Sequence, residues 1–415
     1  MRMILAHNLI VAWLAKILGF ALSLYVARVL APSEYGHYVF IVMVISLIPI
    51  AQLGALQGIV VELPKRLRCL TGTGKGLYSS YAVTSQLLQL VSIFVLFFLS
   101  DESVSALGLV ALGVHLLLSK VHENCKVLMG AHLEFYGQIK IRWIDEIIRP
   151  LALGVSFYMY PGIDALFIGH AVVTVSLVTI IQVCFKDAIA WKIGRNFSAD
   201  LKKIYSVGFF IFLVWGQDLL FRSIDRWFIK IFYTTEDLAI YGFVSALAIH
   251  IWGVGLAYLA PYAQLLYSTV ANEEWPEVEK LIRKANRELY LLMGALCGAA
   301  IIVYPIVTTY IVGRYESSWP IFCILAIASF CLAANNMQIY YMSSTRQQFL
   351  MIRYQFGLVI GGCLFDLIAS LHAAPIIVLA ICTLICLLIY CFFLTRYVRR
   401  DLALRISNVK VEIPV

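Results

Sequence analysis

Asp218, Arg222, Asp225 and Arg226 stand in the middle of an apolar stretch that runs from Ile204 to Phe232. A stretch this long and greasy is expected to cross a membrane as a helix. In a continuous helix, spacings of four and three align Asp218, Arg222 and Asp225 on one stripe, with Arg226 a turn beyond Arg222 on its flank. Each charge near the bilayer centre costs about 2.5–3.5 kcal/mol, so four against lipid would cost on the order of 10 kcal/mol. The stripe must face protein or a water-filled cavity. That predicts a chain that binds or moves something charged. Arginine stays charged in a poorly hydrated site and offers phosphate a planar fork, which makes Arg222 and Arg226 candidate anion ligands. Asp218 and Asp225 can hold those arginines when no anion is bound, or exchange a proton or a sodium ion. A closed ladder Asp218–Arg222–Asp225 that only packs helices is the structural alternative.

Other polar residues share the apolar environment. Lys16 sits in the middle of the first apolar segment, flanked by Trp13, Leu14, Ile17 and Leu18, none of which can solvate it. Arg149 follows Asp145 and Glu146 and precedes Pro150, so either an intrahelical ion pair or a cavity role fits it. Asp366 is an unpaired intramembrane acid and a candidate for ion coupling. Gln52, Gln57, Gln217, Asn335, Asn336 and Gln338, with Tyr258 and Tyr340, could offer hydrogen bonds to a polar cargo, or to neighbouring helices. Arg28, Lys230 and Arg314 lie near outer helix ends and can snorkel. His115 and His250 read as satisfied buried imidazoles. Gly72-Thr-Gly-Lys75-Gly lacks the spacing and the preceding strand of a phosphate loop. The ten cysteines sit mostly in apolar segments, where they act as small hydrophobes, and Cys382 and Cys386 share a helix face without a His or acidic companion, so no metal site is expected.

The elements that position these residues follow from composition. The chain has 415 residues, 62% hydrophobic and 13% charged. A soluble chain carries roughly twice that charge fraction, so a polytopic all-α membrane protein is expected. Twelve apolar segments can be marked: Ile4–Val29, Tyr38–Val61, Leu77–Leu99, Val104–Val121, Trp143–Tyr160, Ala165–Phe185, Ile204–Phe232, Leu238–Leu266, Leu289–Val312, Trp319–Tyr341, Tyr354–Leu371 and Pro375–Leu394. Alternate loops are rich in Lys and Arg, as in Lys65-Arg66, Lys120 to Arg142, Lys186 to Lys203 and Lys280 to Arg287. The loops between them are nearly free of basic residues, Arg314 excepted. The positive-inside rule then places both termini in the cytoplasm. The net charge of +8 is spread over these short loops, so it signals topology and no nucleic-acid partner. Ile189, Ile193, Phe197, Leu201 and Ile204 predict one amphipathic elbow on the inner leaflet, and the segment from Pro276 to Lys284 another. The N-terminal apolar run is too long for a cleavable signal. The expected organisation is a six-helix lobe over 1–190, an amphipathic linker over 191–203, a second six-helix lobe over 204–395 and a basic cytoplasmic tail over 396–415.

A repeat links the halves. Lys16 precedes Arg28 by twelve positions and Asp218 precedes Lys230 by twelve; Tyr35-Gly36 and Tyr241-Gly242 then open the next helices. Two parallel six-helix repeats around a central cavity suit a duplicated transporter. Here motifs of a known family come into view. Arg28-Val-Leu-Ala-Pro-Ser-Glu-Tyr-Gly resembles the outer end of the first helix in polysaccharide flippases, of the O-antigen type. Gln52-Leu-Gly-Ala-Leu-Gln-Gly resembles that family's second helix, Ile224-Asp-Arg-Trp-Phe-Ile its seventh and Pro261 its eighth-helix proline. The segment Asn335-Asn-Met-Gln to Arg346-Gln-Gln resembles its tenth helix and following loop. The family shares a superfamily with lipid II flippases and multidrug and toxin extrusion transporters. The resemblance implies twelve helices in two lobes that carry an undecaprenyl-diphosphate-linked oligosaccharide across a bacterial inner membrane.

Such a cargo needs cations for its diphosphate and polar or aromatic surfaces for its glycan. The chemistry, and not the resemblance, nominates Arg222, Arg226, Lys16 and Arg149 for the first task, and the Gln and Asn set for the second. Asp218, Asp225 and Asp366 are nominated for charge relay or coupling to a proton or sodium gradient, with no other cofactor. Membrane lipids, and the polymerase and chain-length proteins of the same pathway, are the expected partners. An ion-coupled multidrug antiporter would favour acids over paired arginines. A membrane-embedded polymerase needs larger outer loops than these, an acyltransferase needs a histidine with polar neighbours, and a scaffold needs no charged stripe.

Overall fold

The structure is a computed structural model that describes residues 2–67, 73–99, 104–131, 143–184 and 196–411. Among the described residues every regular element is helical. In chain order they are α1 (Arg2–Val29), α2 (Pro32–Leu47), a 3-10 turn (Ile48–Gln52), α3 (Ala55–Leu67), α4 (Thr73–Leu99) and α5 (Ala106–Ala131). A π turn (Ile144–Ile148), α6 (Arg149–Met159), α7 (Ile163–Cys184), α8 (Phe197–Phe221), α9 (Ile224–Phe232) and α10 (Thr235–Ala271) follow. Then come α11 (Trp275–Tyr310), a second 3-10 turn (Gly313–Ser318), α12 (Trp319–Ser344), α13 (Gln348–Leu371) and α14 (Ile376–Val411). Among the described residues ten helical stretches are long and apolar enough to cross a membrane. Helix α1, and the π turn with α6, occupy the positions of the first and fifth expected spans. Large apolar side chains such as Phe98, Val91 and Ile302 stay exposed, as lipid-facing positions require.

The structure corrects several boundaries. The second span is broken: after the 3-10 turn, Leu53 (φ 47°) and Gly54 (φ 94°) adopt left-handed backbone before α3 starts. The seventh is broken too, between Phe221 and Ile224. Lys120 and Lys126, expected in an inner loop, lie within α5. The expected elbow at Pro276 is the start of α11, an unbroken helix of 36 residues, about 54 Å long. The amphipathic charge pattern there marks the part of a long helix that leaves the apolar layer. The expected tail likewise continues the last span as α14. Of the other elbow, Ile189 and Ile193 lie outside the described residues, whereas Phe197, Leu201 and Ile204 belong to α8. Gly72 also lies outside them, and Thr73 to Gly76 form the first turn of α4, a helical start unlike a phosphate loop.

The chain divides into two compact units at Leu219/Leu220. In the first unit, α5 packs on α7 and α4, and α6 packs on α7 and α1. Helix α8 joins this unit through three glycines. A Cβ on Gly208 would fall 2.0 Å from the Gly54 carbonyl oxygen, and one on Gly58 would fall 2.0 Å from that of Ile204. Only hydrogen at all three positions lets the backbones meet. Around this crossing, Ala55, Ile59, Leu63, Leu77, Tyr78, Tyr81 and Ile204 form a buried cluster. At its Leu63 end Lys203 pairs with the buried Glu62 at 3.5 Å.

In the second unit, α10 packs along α12, with α11 and α14 against the same helix and α9 against α13. Tyr304 stacks on Phe322 at 4.1 Å, and Phe243 meets Tyr315 at 4.5 Å, filling one end of the core. At the opposite end a carboxylate does the tying. Asp401 Oδ2 accepts from the Tyr341 hydroxyl (2.6 Å), Gln347 Nε2 (3.1 Å) and Arg405 Nε (2.9 Å). The Arg405 guanidinium lies 4.6 Å above the Trp275 ring, so one residue pair on α14 holds α11, α12 and the turn after it.

Candidate functional site

The break in span seven builds the first half of the site. Helix α8 stops at Phe221, and the Ser223 N–H turns back to the Leu220 carbonyl at 2.9 Å. When α9 restarts, Asp225 falls in its first turn, where the helix dipole favours an acid. The Asp225 carboxylate is buried; it accepts the Arg226 N–H at 2.8 Å and the Tyr241 hydroxyl in a short contact. Arg226 Nη2 donates to the Arg222 carbonyl at 2.8 Å, covering an acceptor that the break releases. Its Nε–H is buried without a hydrogen-bond partner among the described residues. The Arg222 guanidinium lies 4.5 Å above the Trp252 ring. From α13, Asp366 reaches the same region; it is 1% exposed, Oδ1 has no hydrogen-bond partner among the described residues, and the Asp225 charge acts on it.

The turn at Arg222–Ser223 interrupts the helical register that the single stripe assumed, and Asp225 binds Tyr241. Asp218 and Gln217 lie on α8 in the first unit, while Arg222, Asp225, Arg226 and Asp366 lie in the second. Tyr241 and Trp252 were not nominated from sequence. Tyr241 stood out only as a marker of the repeat, and a tryptophan in an apolar run carries no signal of its own.

A second polar network lies wholly within the first unit. Asp145 Oδ1 takes Arg149 Nε at 2.8 Å and Nη2 at 2.6 Å, and its Oδ2 takes Lys126 Nζ at 2.6 Å. Arg149 thus has the intrahelical ion pair that its spacing allowed, but it also donates through Nη1 to Thr174 Oγ1 at 3.2 Å. The same hydroxyl lies 2.8 Å from His115 Nδ1, and the His115 ring is 4.7 Å from that of His170. His122 Nε2 stands 3.6 Å from Asp145. His115 is no isolated imidazole; His170 is its neighbour across α5 and α7, and a separation of 55 positions hid the pair from pattern reading. Further in, Lys120 is 3% exposed and donates to Gln52 Oε1 at 2.7 Å and to Glu123 at 2.5 Å. Gln52 is thereby fixed at the break of span two.

The remaining nominees divide. Asn335, Asn336 and Gln338 are buried and spend their amides on packing. Asn335 donates to the Cys391 thiol (2.8 Å) and Asn336 to the Leu332 and Ala333 carbonyls, while the Gln338 amide, with its oxygen and nitrogen exchanged, donates to those of Ala334 and Asn335. They do not form an open polar face, because a span that is buried on most sides uses amides to join helices. The Tyr258 and Tyr262 hydroxyls both donate to Glu288, at 2.7 and 2.5 Å. Gln57 and Lys16 are half-buried, and Gln217 Oε1 is buried with no partner among the described residues.

No family model matches the chain, and no curated protein matches it. Solved structures do. The lipid II flippase MurJ in an inward closed conformation superposes with a TM-score of 0.73 at 12% identity, covering 98% of this chain and 93% of its own. An inward-facing multidrug resistance MATE family transporter of the MOP superfamily gives 0.66 at 14% identity, covering 97% and 99%. A MOP superfamily transporter from Pyrococcus furiosus gives 0.66 at 13% identity, covering 97% and 96%. Over nearly its whole length, the chain has the fold of the lipid II flippase and of the MATE transporters.

Proposed function

We propose that this chain is a flippase that carries an undecaprenyl-diphosphate-linked oligosaccharide, an O-antigen or related repeat unit, from the cytoplasmic to the outer face of a bacterial inner membrane by alternating access. The observation that carries the reading is the arginine pair at the break of span seven. Arg226 keeps an N–H unspent in a buried site, and Arg222 is held flat on an indole, next to two acids. A guanidinium with an unused donor inside a membrane is set up for an anion, and a diphosphate supplies the charge and oxygen atoms that it lacks. Arg149, bonded to an acid that can release it, supports the same chemistry in the first unit. The likeness in fold to a lipid II flippase supports a lipid-linked cargo, and the motifs that resemble polysaccharide flippases support a glycan on it.

Asp366 favours a second reading. An intramembrane acid with an unsatisfied oxygen, near Asp225, suits a proton or sodium ion, as an ion-coupled antiporter of the same fold would use. The two readings separate in cells lacking this chain. Lipid-linked oligosaccharide should accumulate on the inner face, and Arg222→Gln/Arg226→Gln protein at normal level should fail to relieve it. Wild-type surface polymer from the double variant would remove the arginine assignment. Unchanged sidedness in the null cells, with lost drug resistance, would favour the antiporter.

A further inference from the structure

We propose that the His115–His170 pair of the first unit is a proton-binding site whose occupancy is governed by the Arg149–Asp145 ion pair. Its consequence for coupling rests on the transporter reading; the site itself does not. Counting about 1.5 Å per residue from the outer ends of α5 and α7 puts the two rings about 10–14 Å deep, near the middle of a layer about 30 Å thick. An imidazole there is surrounded by apolar helices unless something is built for it. Here something is. His115 Nδ1 meets Thr174 Oγ1 at 2.8 Å. His170 Nδ1 is buried with no hydrogen-bond partner among the described residues, leaving a nitrogen on the second ring for the proton. Ring centroids 4.7 Å apart restrict the pair to one proton, since two imidazolium rings at that distance repel.

The Thr174 hydroxyl transmits the ion pair's state. It has one hydrogen and already accepts from Arg149 Nη1 at 3.2 Å. With His115 neutral and Nδ1 bare, the hydroxyl donates to it. With His115 protonated, Nδ1–H donates and the hydroxyl turns its hydrogen to a carbonyl one turn back, as threonines in helices do. Arg149 stands on the hydroxyl that His115 also uses, so its positive charge opposes a second one on the rings, and Asp145, paired with Arg149, offsets it. Other titratable groups on the elements packed here include His122, Glu123, Cys125, Lys120 and Lys126 on α5, Asp164 on α7, Glu146 beside Asp145, Tyr158 on α6, Tyr78 and Tyr81 on α4, Glu62 on α3, and Lys16, Tyr25 and Arg28 on α1. Of these, Lys126 and His122 act by sharing Asp145. An anion that neutralises Arg149 raises the proton affinity of the pair, and by reciprocity the bound proton raises affinity for that anion. The network thus links a proton near mid-membrane to an anion nearer the inner surface.

Histidine 15N NMR of the full chain in lipid nanodiscs, from pH 4 to 9, reads the imidazoles directly, with His115→Gln and His170→Gln assigning the signals. One imidazole of the pair should gain a proton on acidification. Arg149→Gln should move its midpoint up by about one pH unit, a tenfold gain in proton affinity. Lys126→Gln, at a side chain 40% exposed and so safe for folding, should move it the same way by less. A pair that stays neutral down to pH 4 in all three proteins overturns the proposal, as does a midpoint indifferent to both substitutions. The measurement involves no transport. A neutral pair therefore leaves the flippase reading untouched, and a titrating pair in a chain whose loss leaves lipid-linked oligosaccharide correctly sided overturns that reading alone.

Discussion

Gly208 is where a single methyl group tests the packing of α8 most sharply. In Gly208→Ala the new Cβ would meet the Gly54 carbonyl oxygen at 2.0 Å, Gly58 N at 2.6 Å and Gly58 Cα at 2.9 Å. All three are backbone atoms, so no rotamer change relieves the contact. To reach an ordinary 3.4 Å the helices must separate by about 1.4 Å, which loosens Ala55, Ile59 and Ile204 in the cluster beneath. Overpacking of this kind costs about 1–3 kcal/mol. Alanine also gains about 1 kcal/mol of helix propensity over glycine. Gly294→Ala in α11 isolates that gain, because its Cβ would meet nothing within 4 Å. The propensity term cancels between the two variants and leaves Gly208→Ala about 2 kcal/mol less stable, roughly 30-fold in the unfolding constant. Unfolding both from mixed micelles with SDS measures the difference. Coincident curves would refute the view that this crossing binds α8 to the first unit.

Other outcomes follow from buried partners. Gln52→Leu removes the 2.7 Å bond from a lysine that is 3% exposed, and should cost about 1–3 kcal/mol; adding Lys120→Met should recover part of that loss, whereas strictly additive costs would deny the coupling. Asp401→Ala strands Tyr341, Gln347 and Arg405 together and should destabilise the second unit by about 2–3 kcal/mol in the same titration, with Asp401→Asn milder. For topology, a cysteine in place of Arg283, exposed on α11, should react with impermeant maleimide only from the cytoplasmic side, and one in place of Glu236 only from outside. Labelling in the reverse sense would invert the orientation inferred from the basic loops.

The sequence makes legible what depends on local chemistry. Apolar length marks the membrane helices, and a charge inside one marks a place where lipid cannot be the neighbour. Asp225 and Arg226 were found that way. What stayed hidden depends on partners distant in the chain: Tyr241 on Asp225, Gln52 on Lys120, His170 beside His115. Lys120 was misplaced for a related reason. A lysine near the end of an apolar run looks the same whether it leaves the membrane or enters a polar core, and only Gln52 and Tyr81 decide it. The two helix breaks differ in this respect: Pro49 and Gly54 are breakers by type and mark the break in span two, whereas neither Arg222 nor Ser223 marks the one in span seven.

The repeat shows how such signals should be weighed. Equal spacing of Lys16–Arg28 and Asp218–Lys230 suggested that spans one and seven share a geometry, yet α1 runs unbroken from Arg2 to Val29 while span seven breaks after Phe221. What the halves share lies at the next helix start. The Glu34 carboxylate accepts the Ala31 N–H at 3.1 Å, and Asp237 accepts the Thr234 N–H at 3.2 Å, each acid three residues into its helix. Measured from those caps, Tyr35 lies four residues on and Tyr241 seven, so the two Tyr-Gly pairs are not equivalent. The halves keep the cap and diverge where the chemistry is. A broken helix in an apolar layer releases backbone groups that must find partners within the protein. In span seven the Arg226 guanidinium meets that demand by covering the Arg222 carbonyl, and at the break of span two Lys120 holds the Gln52 side chain. Polar side chains and unwound backbone therefore fall together, which is the arrangement by which membrane carriers build binding sites from discontinuous helices. It directs mutagenesis to these two breaks ahead of the buried amides of α12, whose hydrogen bonds are already committed to packing.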